Sequence, residues 1–269
     1  MLEPVELFDT AITSPDHAGG ICWTGTSFWA VAYVGGYGVS PRSIAYNYDY
    51  QGNLLGSFQL QGNSMHGCAW DGSYLWVGSS SLDSGCYVWR MRTDGTWVSR
   101  WVAPGGAYSP NPYGYAWDGS NIWIYESETN KIYQCDPDTG AVISSFSSGV
   151  NTDIHGIYWD ASDSTIWALA DKIGKLYQYT TTGTVLKIID IMANDNWRGL
   201  TRVNNRWHVT HRYDFKIYKF VPSVSGVVVY TKVNGKWRQS NAYVKVDGSW
   251  RPVIDGWVKD NGVWKKLMG

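Results

Sequence analysis

The feature that most constrains this chain is an internal repeat. Four segments align on a glycine and two tryptophans: GICWTGTSFWAV from Gly20, GCAWDGSYLWVG from Gly67, GYAWDGSNIWIY from Gly114 and GIYWDASDSTIWAL from Gly156. A fifth, GLTRVNNRWHV from Gly199, keeps only the second tryptophan. The anchor glycines stand 47, 47, 42 and 43 residues apart. That period suits a four-stranded propeller blade and exceeds the roughly 34 residues of common helical repeats.

Each unit reads as four strands. The first ends at Trp23, Trp70, Trp117 or Trp159, and turns such as Asp71-Gly72-Ser73 and Asp118-Gly119-Ser120 follow. The second carries Trp29, Trp76, Trp123, Trp167 or Trp207, and the third Tyr46, Trp89, Tyr133, Tyr177 or Tyr218. The fourth ends on Phe58, Trp101, Phe146 or Ile189. The last unit stops after its third strand at Phe220, while Val5-Glu6-Leu7-Phe8 at the start matches the spacing of Ile143 to Phe146. The N-terminus therefore supplies the missing fourth strand of blade five. Such closure hides the sheet edges that otherwise invite aggregation. The fold class is all-β, a five-bladed propeller over residues 1–222.

After Pro222 a second repeat appears: YTKVNGKWRQ from Tyr230, YVKVDGSWRP from Tyr243 and WVKDNGVWKK from Trp257, at intervals of 13 and 14. Asn-Gly or Asp-Gly between short aromatic-ended strands is a strong hairpin signal, so residues 223–269 read as a small β-hairpin array. Two-stranded units gain stability by stacking or docking. Residues 226–269 hold eight Lys and Arg against three Asp, net +5, which leaves 14 against 20, net −6, for the rest. Lys232, Lys245, Lys259 and Lys265 alternate with aromatic residues and are expected on an exposed face, where they dock partners or bring copies together around a symmetry axis. A solvated sheet face accounts for the same charges.

Composition narrows the function. An overall charge of −1 gives no basic field for nucleic acid, and no apolar run nears the roughly 18 residues of a membrane span, so neither nucleic acid nor membrane insertion is expected. No secretory signal is visible at the N-terminus. Cys22, Cys68, Cys86 and Cys135 have no metal-like spacing and read as buried free thiols. The 17 Trp and 19 Tyr fall largely on the two repeats, where packing between blades explains them. The Asp-Gly turns read as structural, and no cofactor motif is present.

Propeller loops meet around the central channel at one face. The residues just before the anchor glycines are Gly19, His66, Tyr113, His155 and Arg198; Tyr37, Asp153, Trp197 and Arg212 fall in loops expected at the same face. Rings that stack on sugars, with imidazole and guanidinium groups for hydroxyls or a carboxylate, are the chemistry of a glycan site. Caps of the channel that bond only water or backbone use the same residue types. The Gly35-Gly36-Tyr37-Gly38 insertion makes the longest second-to-third loop, in blade one. The loop acids Glu126, Glu128, Asp153, Asp195 and Asp214 miss the five mouth positions and read as solvated charges, so a glycan-cleaving enzyme is the lesser alternative and the expectation is a non-enzyme.

Two resemblances add to this. Five blades with repeats near 47 residues resemble the tachylectin-like lectins in architecture. The YVKVDGSW and WVKDNGVWKK copies resemble the hairpin repeats that end many bacteriophage tail and fibre proteins. That second resemblance implies a virion component made in the host cytoplasm, with residues 226–269 contacting other virion proteins and the propeller recognising a host-surface glycan. A purely structural or decorative virion protein is the alternative.

Overall fold

The computed structural model describes residues 1–10, 16–36, 39–60, 64–79, 86–105, 111–194, 196–222, 229–233, 236–238, 240–246, 249–253, 255–260 and 263–268. The chain forms two compact units, Met1–Val221 and Pro222–Gly269.

The first unit is the five-bladed propeller. β1 (Leu2–Asp9) precedes blade one, which is β2 (Asp16–Trp23), β3 (Phe28–Gly36), β4 (Val39–Tyr48) and β5 (Leu54–Leu60). Blade two is β6 (Met65–Trp70), β7 (Leu75–Ser79), β8 (Tyr87–Met91) and β9 (Trp97–Val102). Blade three is β10 (Pro112–Trp117), β11 (Ile122–Glu126), β12 (Lys131–Cys135) and β13 (Val142–Ser147). Blade four is β14 (Gly156–Asp160), β15 (Thr165–Ala170), β16 (Lys175–Tyr179) and β17 (Val185–Asp190). Blade five is β18 (Trp197–Val203), β19 (Arg206–His211) and β20 (Lys216–Pro222), and β1 joins it as the outermost strand beside β20. The expected closure by the N-terminus is therefore the closure observed. Lys216 reinforces it through ion pairs to Glu6 at 2.7 Å and Asp9 at 3.3 Å.

The first strands β2, β6, β10, β14 and β18 contact one another in a closed ring. The core is divided into five apolar clusters, one in each seam between neighbouring blades. Second-strand tryptophans stack on the first-strand tryptophan of the next blade, Trp76 on Trp117 at 6.4 Å and Trp123 on Trp159 at 6.3 Å between ring centroids. Asp71 explains why the turn aspartate recurs: it accepts the backbone N–H of Ser73 and Tyr74, and its other oxygen accepts Trp76 Nε1–H at 2.8 Å. Asp118 does the same for Ser120, Asn121 and Trp123. One carboxylate thus shapes the turn and fixes the buried tryptophan after it.

In blade one the insertion is not the long loop expected. β3 and β4 continue pairing as far as Gly36 opposite Val39, so Gly35 and Gly36 belong to a lengthened hairpin, while Tyr37 and Gly38 lie outside the described residues.

The second unit contains the three hairpins: β21 (Val229–Val233) with β22 (Lys236–Arg238), β23 (Ser240–Val246) with β24 (Ser249–Val253), and β25 (Asp255–Asp260) with β26 (Val263–Met268). Their registers agree, with Lys232, Lys245 and Lys259 opposite Trp237, Trp250 and Trp264. β26, which carries Lys265, also pairs in parallel with both β21 and β23, so the three hairpins share one sheet.

Candidate functional site

The five residues before the anchor glycines converge. Gly19, His66, Tyr113, His155 and Arg198 line one cavity together with His17, Ala18, Tyr33 and Arg212. Its volume is about 450 Å³, including the open mouth. Convergence follows from the backbone. The anchor glycines let adjacent first strands meet at distances that exclude a side chain, as at Gly20, where a Cβ would lie 2.5 Å from the Cys68 nitrogen. Each preceding residue is thereby held at the same level of the channel.

An arc of five rings forms most of the wall. Centroid separations are 6.3 Å for His17 to Tyr33, 6.3 Å for Tyr33 to His66, 5.5 Å for His66 to Tyr113 and 5.2 Å for Tyr113 to His155. Arg198 and Arg212 complete the lining. Burial, with the charges of Arg212 and Arg198 added, lowers the His66 imidazole to about 3, so this ring is neutral at ordinary pH. Burial likewise raises the Tyr113 phenol and keeps it protonated.

Behind the wall is a carboxylate that sequence reasoning missed. Asp171, in a single 3-10 turn after β15, is fully buried. It bonds His155 Nδ1 at 2.7 Å and accepts Arg198 Nη1–H at 3.1 Å. Its own backbone carbonyl accepts the N–H groups of Gly174 and Asn194, which fixes the turn. Asp171 lies four residues after the second-strand Trp167, and Tyr33 lies four after Trp29. That shared offset is the signal that locates both.

Other expected site residues fall elsewhere. Trp197 is 2% exposed and packs in the seam of blades four and five, its indole N–H donating to the Met192 carbonyl at 3.1 Å. Neighbours on a strand face opposite ways, so with Arg198 turned to the channel Trp197 turns into the core. Asp153 is exposed near Tyr113 and outside the lining, and Tyr37 and Asp195 lie outside the described residues. Glu126 is no solvated charge: it is fully buried and accepts N–H groups of Asn111, Glu128 and Thr129 and the Thr129 hydroxyl. Glu128 accepts from Asn111 Nδ2 at 3.0 Å, and Asp214 accepts the Tyr218 hydroxyl at 2.5 Å.

No protein-family model matches the sequence, and no curated protein matches it. Solved structures do. The chain is similar to the Myxococcus xanthus glutaminyl cyclase, with 12% identity and a TM-score of 0.61 over 82% of this chain and 96% of that one. It is similar to a chain of a nidogen/laminin complex, with 16% identity and a TM-score of 0.50 over 72% of each. A streptogramin B lyase aligns at 16% identity and a TM-score of 0.45, over 76% of this chain and 64% of that one. At such identities the likeness establishes the propeller fold. It also corrects the expectation of a non-enzyme, because the glutaminyl cyclase is named as an enzyme. Asp171 adds a carboxylate that none of the five mouth positions carries, bonded from behind the wall to His155 and Arg198 of the lining.

Proposed function

We propose that the chain is a recognition protein whose propeller takes an anionic group, the carboxylate of an acidic surface glycan, at the mouth of its channel. The charge balance of the lining carries this reading. Arg198 and Arg212 of the lining bring two positive charges, Asp171 behind it returns one negative, and the neutral His66 adds none. A surplus guanidinium beside aromatic rings in a partly enclosed cavity suits a carboxylate with an apolar sugar face behind it. The hairpin unit serves as the attachment to neighbouring particle proteins, a role supported by its resemblance to phage tail and fibre repeats.

The test is titration of the full chain with glucuronate, N-acetylneuraminate, their methyl esters and acidic polysaccharides. Acids are expected to bind and esters to fail, and Arg212→Ala to weaken binding roughly 10- to 100-fold, the worth of a charge-assisted hydrogen bond. Equal binding of esters, or undiminished binding by Arg212→Ala, overturns the reading.

One observation favours a second reading, catalysis on the same ligand. The Asp171 carboxylate holds His155 Nδ1, which orients the ring that borders the cavity and suits it to proton transfer beside a bound carboxylate. In that case acidic polysaccharide incubated with the protein is shortened, and His155→Gln abolishes the shortening while binding persists.

A further inference from the structure

Cys22 and Cys68 lie outside the mouth and take no part in its charge balance. Cys22 is the second residue after anchor Gly20 on β2, and Cys68 is the first after anchor Gly67 on β6. Side chains alternate along a strand, so these two positions point across the seam between blades one and two. The corresponding pairs at the next seams are Ala69 with Tyr115, Ala116 with Ile157 and Tyr158 with Leu200, and each pair shares an apolar cluster. At the first seam the pair is two sulfurs.

Both thiols are buried, at 6% and 4% exposure, and their Sγ atoms stand 2.6 Å apart. Ordinary non-bonded contact lies near 3.5–4.0 Å for carbon, whereas a covalent S–S bond needs about 2.05 Å, so the sulfurs have only about half an ångström to close. Both residues also border a second cavity in the channel, of about 350 Å³ with its opening.

We propose that Cys22 and Cys68 form a disulfide site that clasps blade one to blade two when the chain meets a low-molecular-weight disulfide such as glutathione disulfide. One thiol, as thiolate, attacks the oxidant to give a mixed disulfide and release one glutathione thiol. The second then attacks the first sulfur and releases the other. The two cysteines lose two protons and two electrons, and the oxidant's S–S bond takes them up. Burial, with Cys68 alongside, raises the Cys22 thiol well above its ordinary range, so attack is slow in the closed ring. The clasp joins the strands that bring His17 and His66 to the mouth.

The experiment holds the full chain in glutathione disulfide just below its unfolding transition, where blades open transiently, then denatures it, alkylates free thiols and maps the peptides. A linked Cys22–Cys68 peptide is expected, with a Tm raised by roughly 10 °C, as befits a closed loop of this length, and restored by reductant. Recovery of Cys22 as an alkylated thiol, its linkage to another partner, or a linked chain with no rise in Tm overturns the proposal. Cys68→Ala must lose the linked peptide; should that variant fail to fold, the mapping of the unaltered chain decides alone.

Discussion

Asp171→Asn tests whether one buried carboxylate organises the mouth. The aspartate is fully buried, and one oxygen meets His155 Nδ1 at 2.7 Å while the other meets Arg198 Nη1 at 3.1 Å. An amide of the same shape keeps one acceptor for Arg198 but turns an N–H towards His155 Nδ1, so the imidazole must switch tautomer to accept it and the carboxylate's charge is lost. The Arg198 side chain, 12% exposed, also loses its counter-charge. Removing one member of a buried pair costs about 3–5 kcal/mol, most of it from the charge left behind. For a unit of this size about 2–4 °C accompanies each kcal/mol, so Tm should fall by roughly 10 °C in calorimetry at neutral pH. Arg198→Gln on top of Asp171→Asn removes the stranded charge and should recover part of the loss, with a coupling of about 2 kcal/mol in the cycle. A fall under about 3 °C for the single variant, or strictly additive losses in the double, refutes the account of Asp171 as the anchor of His155 and Arg198.

Acid should unfold the ring from its histidines. Burial lowers His208 to about 4 and His66 to about 3, both below the unfolded value of about 6.5, so the folded rings stay neutral while the unfolded chain takes up protons. Their stabilisation is whole above about pH 6.5 and lost as pH falls towards 4; the fully buried His208 alone accounts for about 2 kcal/mol by pH 5, the half-buried His66 for less, and Tm measured against pH should flatten in His208→Gln. Asp71→Ala should cost about 2–3 kcal/mol in denaturant unfolding, because it orphans the buried Trp76 Nε1–H as well as the turn N–H groups. A loss no larger than that of an exposed Asp94→Ala control is the contrary result.

The architecture was legible because each blade repeats one set of constraints. Gly, Trp and Asp-Gly recur where strands meet, where seams are filled and where the turn carboxylate clamps the indole. The ring closure was legible from four residues, Val5 to Phe8, that match a fourth strand elsewhere. The mouth was legible only in part. Residues next to an anchor glycine inherit its position, which located His66, Tyr113, His155 and Arg198. Asp171 and Tyr33 share an offset of four from the second-strand Trp, but the blades share no residue type there, so the spacing alone marks them. Trp197 was misplaced by proximity in sequence, since one step along a strand reverses the side chain. Glu126 was misread because acidity at a strand end suggests solvent, whereas here four donors converge on the carboxylate.

The anchor glycines and the residues before them should therefore respond to mutation in opposite ways. At Gly156 an added Cβ would lie 2.5 Å from the Gly199 carbonyl carbon and 2.5 Å from the Leu200 nitrogen. Those are backbone atoms of the next blade and cannot step aside, so Gly156→Ala should cost about 3 kcal/mol, the upper end of ordinary overpacking. At Gly67 the obstacle is a side chain: the Tyr115 ring lies 1.8 Å from the added carbon, and Tyr115→Leu should relieve Gly67→Ala as it cannot relieve Gly156→Ala. Tyr113, by contrast, reaches into the cavity from a backbone that Gly114 already holds, with part of its ring packed on the seam of blades three and four, and Tyr113→Ser should lower Tm less than Gly156→Ala does while altering what the mouth binds. Equal stability losses for Gly156→Ala and Tyr113→Ser mean that the mouth is part of the scaffold, and the separation of ring from ligand chemistry collapses. Unequal losses in the expected order mean that the residues before the glycines are free to change with the ligand while the ring beneath them stays the same.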